Sequence, residues 1–241
     1  MTLASESRYA DGRYAKQHGG WHEEDAAWKA DQVRSMMSAH GLAPKSICDI
    51  GCGTAGVLAR LQEQVPDVQY VGYEPAGEAI ELAGARASSI DIRRTDAQEC
   101  RDFFDLILML DVFEHVEDYV SFIRSFTDKA SKFIFHIPLD MSVQAVVRMT
   151  PIMEARTKTG HLHYFSKETA LATVNDGGYR VLDWGYTNGT ELPRVAIKTR
   201  LAAIPRRLAY RLHPDFAVRV LGGFSLLVLA EPSGEPRNGG R

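Results

Sequence analysis

The chain has 241 residues, 45% hydrophobic and 24% charged, with a formal net charge of −3, which fits one generous soluble domain. That balance gives no general reason to expect nucleic acid, whose phosphates ask for a basic surface. Three cysteines without zinc-type spacing, no apolar signal core in the first twenty residues, and no run of roughly 18 apolar residues together lead us to expect a reducing, cytoplasmic setting.

In chain order the pattern is mostly strand then helix. Residues 23–41 place Ala27, Trp28, Val33, Met36 and Met37 at helical spacing and stop at a glycine. "SICDI" (46–50) is a short strand, and "VLARLQEQV" (57–65) has helical spacing. Next come "VQYVGYE" (68–74) as strand, "GEAIELAGARA" (77–87) as helix and "IDIRRTDA" (90–97) as strand. "FDLILMLD" (104–111) is a buried strand, "EDYVSFIRSFTDKA" (117–130) a helix and "KFIFHIP" (132–138) a fifth strand. Five such alternations with apolar runs predict an α/β fold with a parallel sheet covered on both faces. Past Pro138 the regularity weakens: residues 166–178 read as a helix, 179–186 and 224–231 as strands, and 232–241 as a disordered tail.

In such a sheet, ligands collect at the carboxyl ends of the strands, which here carry Asp49 to Gly56, Glu74, Asp96, Asp111 and His136. Gly51, Gly53 and Gly56 form G-x-G-x-x-G between strand and helix, and Glu74 follows Gly51 by 23 residues, where a carboxylate can accept both hydroxyls of a ribose. A pyrophosphate at that turn would be repelled by Asp49 and Asp111. S-adenosylmethionine carries no phosphate and has a sulfonium and an α-ammonium, so acids and backbone amides can serve opposite ends of it. Other roles stay open for the acids: Asp49 as a turn cap, Glu74 as an exposed strand-end acid, Asp96 as a turn residue and Glu114 as a helix-start acid.

"ICDIGCGTAG", "VGYEPAGEAIELA", "DAQEC", "FDLILMLDVFEHVED" and "GHLHYFSKETALATVNDGGY", in that order, resemble the class I S-adenosylmethionine-dependent methyltransferases, in particular a small-molecule branch with an acid-His-Val signature, here Glu114-His115-Val116. The resemblance covers roughly residues 20–190. It implies a Rossmann-like, seven-stranded, mostly parallel sheet with helices on both faces and an antiparallel hairpin at the end, occupying 41–231. It also implies a helical lid in residues 1–40, with Tyr14, Trp21 and His22 as candidates to close over the cofactor. On the same ground Gly51 and Gly53 approach the methionine part, Glu74 takes the ribose and Asp96 with Ala97 lies by the adenine. Leu110 and Asp111 flank the ammonium or the transfer site, and Cys52, Pro75 and Val112 adjoin these positions.

Methyl transfer to a hydroxyl needs a group that removes a proton, and imidazoles titrate near neutral pH. His163 and His115, then His136 and His161, are the candidates, with Glu114 and Tyr164 as acceptor contacts. His161 and His163 with His136 or Asp111 also have metal-ligand character, but H-x-H without a fixed third ligand assigns no metal. Between Pro193 and Val220 seven basic residues face one acid, a net of +6 against −9 for the rest. This stretch is longer than a hairpin connection needs and reads as a helical insert, which the resemblance to methyltransferases implies helps build the acceptor pocket. Arg206 and Arg207 there suit an anionic acceptor, such as a phosphorylated, carboxylated or glycosylated metabolite. Leu201, Ile204, Leu208 and Leu212 lie at helical spacing, which also fits peripheral membrane contact or a solvated charged face. A methyltransferase-like module that binds without catalysis is the alternative function. The oligomeric state is not legible.

Overall fold

The computed structural model describes residues 25–84, 90–189 and 204–234. Its elements are α1 (Ala26–Ala39), β1 (Ser46–Ile50), α2 (Gly56–Gln64), β2 (Gln69–Tyr73), α3 (Gly77–Ala83) and β3 (Asp91–Arg93). They continue with β4 (Phe104–Leu110), α4 (Tyr119–Arg124), β5 (Ala130–Pro138), α5 (Val143–Arg148), α6 (Thr150–Glu154) and α7 (Lys167–Asp176). β6 (Tyr179–Asn188), α8 (Ile204–Leu212), α9 (Pro214–Leu221) and β7 (Phe224–Pro232) complete the chain. Short 3-10 turns at Ala97–Glu99 and Phe113–His115 and a π-helical turn at Ala155–Thr159 join them.

The strands form one sheet in the order β3-β2-β1-β4-β5-β7-β6. β1 to β5 pair in parallel, and β7 runs antiparallel between β5 and β6. This is the expected seven-stranded sheet with its antiparallel end. The alternation of side chains along each strand divides the core in two. Ile47, Leu106 and Leu108 join Val33 and Met37 of α1 and Leu58 and Leu61 of α2 on one face. Cys48, Ile107 and Met109 join Ile123 of α4, Val174 of α7 and Val218 of α9 on the other. Because helices cover both faces, β4 can be a continuous apolar run, and all but one of its residues are buried.

Several boundaries differ from the sequence reading. The third strand is only three residues long, because Asp96 accepts a hydrogen bond from Gln98 N at 2.9 Å and turns the chain into the Ala97–Glu99 turn. The helix expected over 117–130 keeps its regular form only to Arg124, and the fifth strand begins at Ala130. Residues 139–165, without a regular pattern in sequence, hold α5, α6 and the π turn. Pro232 still belongs to β7, so the expected tail starts too early, and residues 235–241 lie outside the described residues. From residue 204 onward, where it is described, the insert is helical, as α8 and α9. Of the proposed lid only α1 is described; Tyr14, Trp21 and His22 lie outside the described residues, as do Arg194, Lys198, Arg200 and Leu201 of the insert.

Candidate active site

A cleft of about 370 Å³ opens at the carboxyl ends of β1, β2 and β4. Every described residue expected at the cofactor lines it: Asp49, Gly51, Cys52, Gly53, Glu74, Pro75, Asp96, Ala97, Leu110, Asp111 and Val112. The glycine turn owes its shape to left-handed backbone at Gly51 (φ 72°) and Gly53 (φ 55°). A Cβ on Gly51 would meet Val112 at 3.1 Å. Gly51 N and Cys52 N donate to the Tyr73 carbonyl at 2.8 and 3.1 Å, which ties the turn to the end of β2.

Glu74 completes that tie. It is 5% exposed, and its two carboxylate oxygens accept from Gly53 N at 2.9 Å and Ala76 N at 2.8 Å. Each oxygen keeps a lone pair for a ligand hydroxyl. Burial pushes the Glu74 carboxyl above its ordinary value, against the pull of the two amides. Asp49 is also buried, and burial raises it to about 7; Lys29 pulls down and Glu74 pushes up. A pocket with two desolvated acids, one of which keeps carboxylate lone pairs for a ligand, suits a cationic nucleoside and disfavours a pyrophosphate.

Asp111 sits at φ 59°, a left-handed conformation that Asp tolerates better than most residues. Its Oδ2 accepts from Lys29 Nζ at 2.6 Å and its Oδ1 from His136 Nδ1 at 2.6 Å. Burial alone would raise this carboxyl, but His136 and Lys29 outweigh it and hold it well below the carboxylate range. His136 Nε2 is hydrogen-bonded to Thr187 Oγ1 at 2.9 Å, so both ring nitrogens are committed. His136 therefore lines the cleft as a strut and does not fit the role of a base. Trp28 packs edge-to-face on it with 6.0 Å between ring centroids, and the indole Nε1 is buried without a hydrogen-bond partner among the described residues.

The other histidines separate cleanly. His115 and His161 line the cleft, with their rings edge-to-face at 5.0 Å. His161 Nδ1 donates to Asp140 Oδ2 at 2.6 Å, which orients the ring and leaves Nε2 for the cleft. His163, expected first among the bases, does not line the cleft. Its Nε2 donates to the Val116 carbonyl at 2.9 Å, and its ring lies against Tyr119 at 4.3 Å between centroids. The two-residue spacing sends the neighbouring side chain away from the cleft because Leu162 N and His163 N both donate to the Glu114 carbonyl, at 2.8 and 3.2 Å.

The expected acceptor contacts need correction. Glu114 is fully buried behind His115, does not line the cleft, and neither carboxylate oxygen has a hydrogen-bond partner among the described residues. Burial, reinforced by Asp111, pushes its pKa well up. Tyr164 does not line the cleft either; its hydroxyl donates to the His161 carbonyl at 3.3 Å. Arg206 turns back on its own insert, where it donates to the Leu221 carbonyl at 3.3 Å. Arg207 does face a hollow, a separate one of about 400 Å³ that it shares with Arg211, Gln32, Tyr186, Thr187, Asn188 and Tyr210. That hollow adjoins the cleft at the end of β6, where Asn188 lines one and Gly189 the other.

Sequence reading missed Lys29, Asp140 and Thr187. Lys29 had a signal: it falls on the buried stripe Ala26, Ala30, Val33, Met36, where a lysine is out of place unless paired. Asp140 stands two residues past β5, at the strand end where site residues belong.

The comparisons with known proteins agree with this geometry. A family model described as "Methyltransferase domain" matches residues 21–183. A ubiquinone biosynthesis O-methyltransferase of Rhodopseudomonas palustris (strain BisA53) is 34% identical over 96 residues, which is 37% of this chain and 37% of that protein. The chain thus matches only about a third of the length of such curated relatives. Among solved structures, the plantazolicin methyltransferase BpumL in complex with a monoazolic desmethylPZN analog and SAH has a TM-score of 0.61 at 17% identity, over 95% of this chain and 94% of that one. Magnesium protoporphyrin IX methyltransferase (ChlM) from Synechocystis PCC 6803 with bound SAH has a TM-score of 0.58 at 16% identity, over 85% and 82%. At such identities the likeness is one of fold. With more than half of its length under a single family model, the chain belongs to the methyltransferase-domain family.

Proposed function

We propose that the chain transfers the methyl group of S-adenosylmethionine to a hydroxyl of a small-molecule acceptor. The observation that carries this reading is the Asp140–His161 pair, an imidazole fixed by a carboxylate at 2.6 Å on the cleft wall beyond the cofactor half. When bound, the cofactor supplies a methyl group on a sulfonium that already leaves well. The chain's residues therefore bind, align and manage one proton. Glu74 takes the ribose diol, Asp96 and Ala97 border the base, and Asp49 and the glycine turn meet the amino-acid end. The acceptor lies between Trp28, Pro138 and the His115–His161 wall, where the hydroxyl proton departs as the O–CH3 bond forms and the C–S bond breaks. An anionic group on the acceptor finds Arg207 and Arg211 in the adjoining hollow. The intact site supports catalysis over a module that only binds.

Calorimetry with S-adenosylmethionine and S-adenosylhomocysteine tests the first half, and no binding of either sinks it. For the second half, hydroxylated acceptors are screened by release of S-adenosylhomocysteine. His161→Gln is expected to lower kcat by about 10²–10⁴. S-adenosylhomocysteine affinity should stay within about twofold of the parent, since this side chain does not touch that half of the cleft.

A peripheral membrane contact is a second proposed property, resting on α5, α6, α8 and α9. Of the thirteen exposed large apolar side chains among the described residues, nine lie on these helices or beside them, among them Val147 (78% exposed) and Leu212 (78%). Over 141–160 and 204–223 seven basic side chains stand against two acids, Glu154 and Asp215. Apolar and basic side chains interleaved on one surface suit an anionic bilayer.

A further inference from the structure

We infer that Glu114, His115 and His161 form a binding site for one divalent cation of the zinc kind, open toward the acceptor half of the cleft. Each offers one ligand atom, and the three atoms lie within 4.8 Å of one another. The sequence separates His161 from the other two by 46 residues; the backbone bonds from Leu162 and His163 to the Glu114 carbonyl bring them together.

Glu114 is the observation that points to a ligand. A carboxyl group at 0% exposure with neither oxygen hydrogen-bonded among the described residues is costly, and proteins ordinarily satisfy such a group or use it. His115 Nε2 is its nearest basic neighbour, at 3.9 Å. His161 shows the second feature of a metal ligand, a carboxylate on the far ring nitrogen that fixes the tautomer and raises the basicity of the other. Two imidazoles and one carboxylate, with a remaining position toward a cleft, are a donor set that suits zinc-like ions. The charges around it favour a cation. Asp111 and Asp140 are both close, and the one nearby ammonium among the described residues, Lys29, is held on Asp111 at 2.6 Å. Ligands at roughly 2.0–2.2 Å from a common ion stand roughly 3.3–3.5 Å apart in a tetrahedral site, so modest side-chain rotations close this one.

The ion's role, though not its binding, rests on the proposed function, which places the acceptor hydroxyl against the His115–His161 wall. An ion there supplies Lewis acidity to an adjacent oxygen and favours loss of its proton to solvent. With the ion bound, His161 acts on the acceptor proton through the ion it holds and not as a free base, so a loss of kcat in His161→Gln is expected in either state.

The test uses the full chain, stripped with a chelator and titrated with Zn²⁺ by calorimetry and with Co²⁺ by visible absorption. One equivalent is expected to bind, with the Co²⁺ bands of a four- or five-coordinate site. Glu114→Gln and His161→Gln should each weaken Zn²⁺ affinity at least about tenfold, and Asp140→Asn, which touches no ion, by about 10–100-fold. S-adenosylhomocysteine affinity, measured on every variant, reports that the fold is intact; if Glu114→Gln fails that control, Asp140→Asn decides. No stoichiometric uptake by a chain that binds S-adenosylhomocysteine overturns the site, as does uptake unchanged in the variants. Uptake as expected, with no methyl transfer to any hydroxyl acceptor, leaves the site standing and removes the proposed function.

Discussion

Asp49 shows how a single side chain links cofactor choice to pH. With a carboxyl raised to about 7 by burial, it holds a proton through mildly acid conditions. A raised value also means that its ionisation opposes folding: the group's contribution is fully favourable below its unfolded value and is lost as pH rises through about 7. An ammonium arriving beside it reverses that balance by stabilising the ionised form. Cofactor affinity should therefore be full above pH 7 and fall below it, by up to about tenfold per pH unit. Titration calorimetry with S-adenosylhomocysteine between pH 5.5 and 8.5 measures this, and Asp49→Asn should flatten the profile. The aspartate was legible as a misfit for pyrophosphate, but its depth, 3% exposed, was not, because burial belongs to the packed sheet. Lys29 was overlooked for a related reason: its partner Asp111 lies 82 residues away.

At the scale of elements, the β1–α2 turn and the end of β2 act as one unit through Glu74. Glu74→Ala removes the acceptor for two backbone amides as well as the diol contact. It should abolish measurable cofactor binding and also lower stability by about 1–3 kcal/mol, since the freed Ala76 amide is left buried and the Gly53 amide half-buried. Chemical denaturation separates the two effects, and unchanged cofactor affinity would refute the ribose role. The same reasoning shows which elements the sequence reveals. β1, β2, β4 and β5 are short apolar runs bounded by turn residues, and their pattern survives in the fold. The stretch after β5 hides its helices because Met149, at φ 57°, breaks α5 from α6 and the π turn spoils the 3.6-residue period. His163 was a natural choice from the H-x-H spacing, yet loop spacing carries no fixed direction, and the two backbone bonds to Glu114 point His161 and not His163 inward.

For the whole molecule, the seven-stranded, mostly parallel sheet with an antiparallel end was implied by a family resemblance, and the observed strand pairing bears it out. The glycine-turn half of the cleft follows from strand ends that are contiguous motifs, whereas the half proposed for the acceptor is assembled from α1, the Phe113–His115 turn, the loop before α7 and the ends of β5 and β6. That assembly exists only in three dimensions. The apolar and basic helices are likewise a property of the assembled surface, since α5 and α9 meet only in the fold. If they contact a bilayer, the chain should co-sediment with vesicles containing phosphatidylglycerol and far less with phosphatidylcholine alone. Val147→Asp with Leu212→Asp should abolish that binding without changing affinity for S-adenosylhomocysteine, and equal binding to both vesicle types would refute an electrostatic contribution. The two margins of the sheet differ in kind from that surface. β3 offers three residues, and β6 carries a register shift between Val181 and Asp183, with Asp183 held by His40 at 2.8 Å. Among the described residues one margin is three residues long and the other is interrupted by that shift, features that disfavour the addition of strands from another copy.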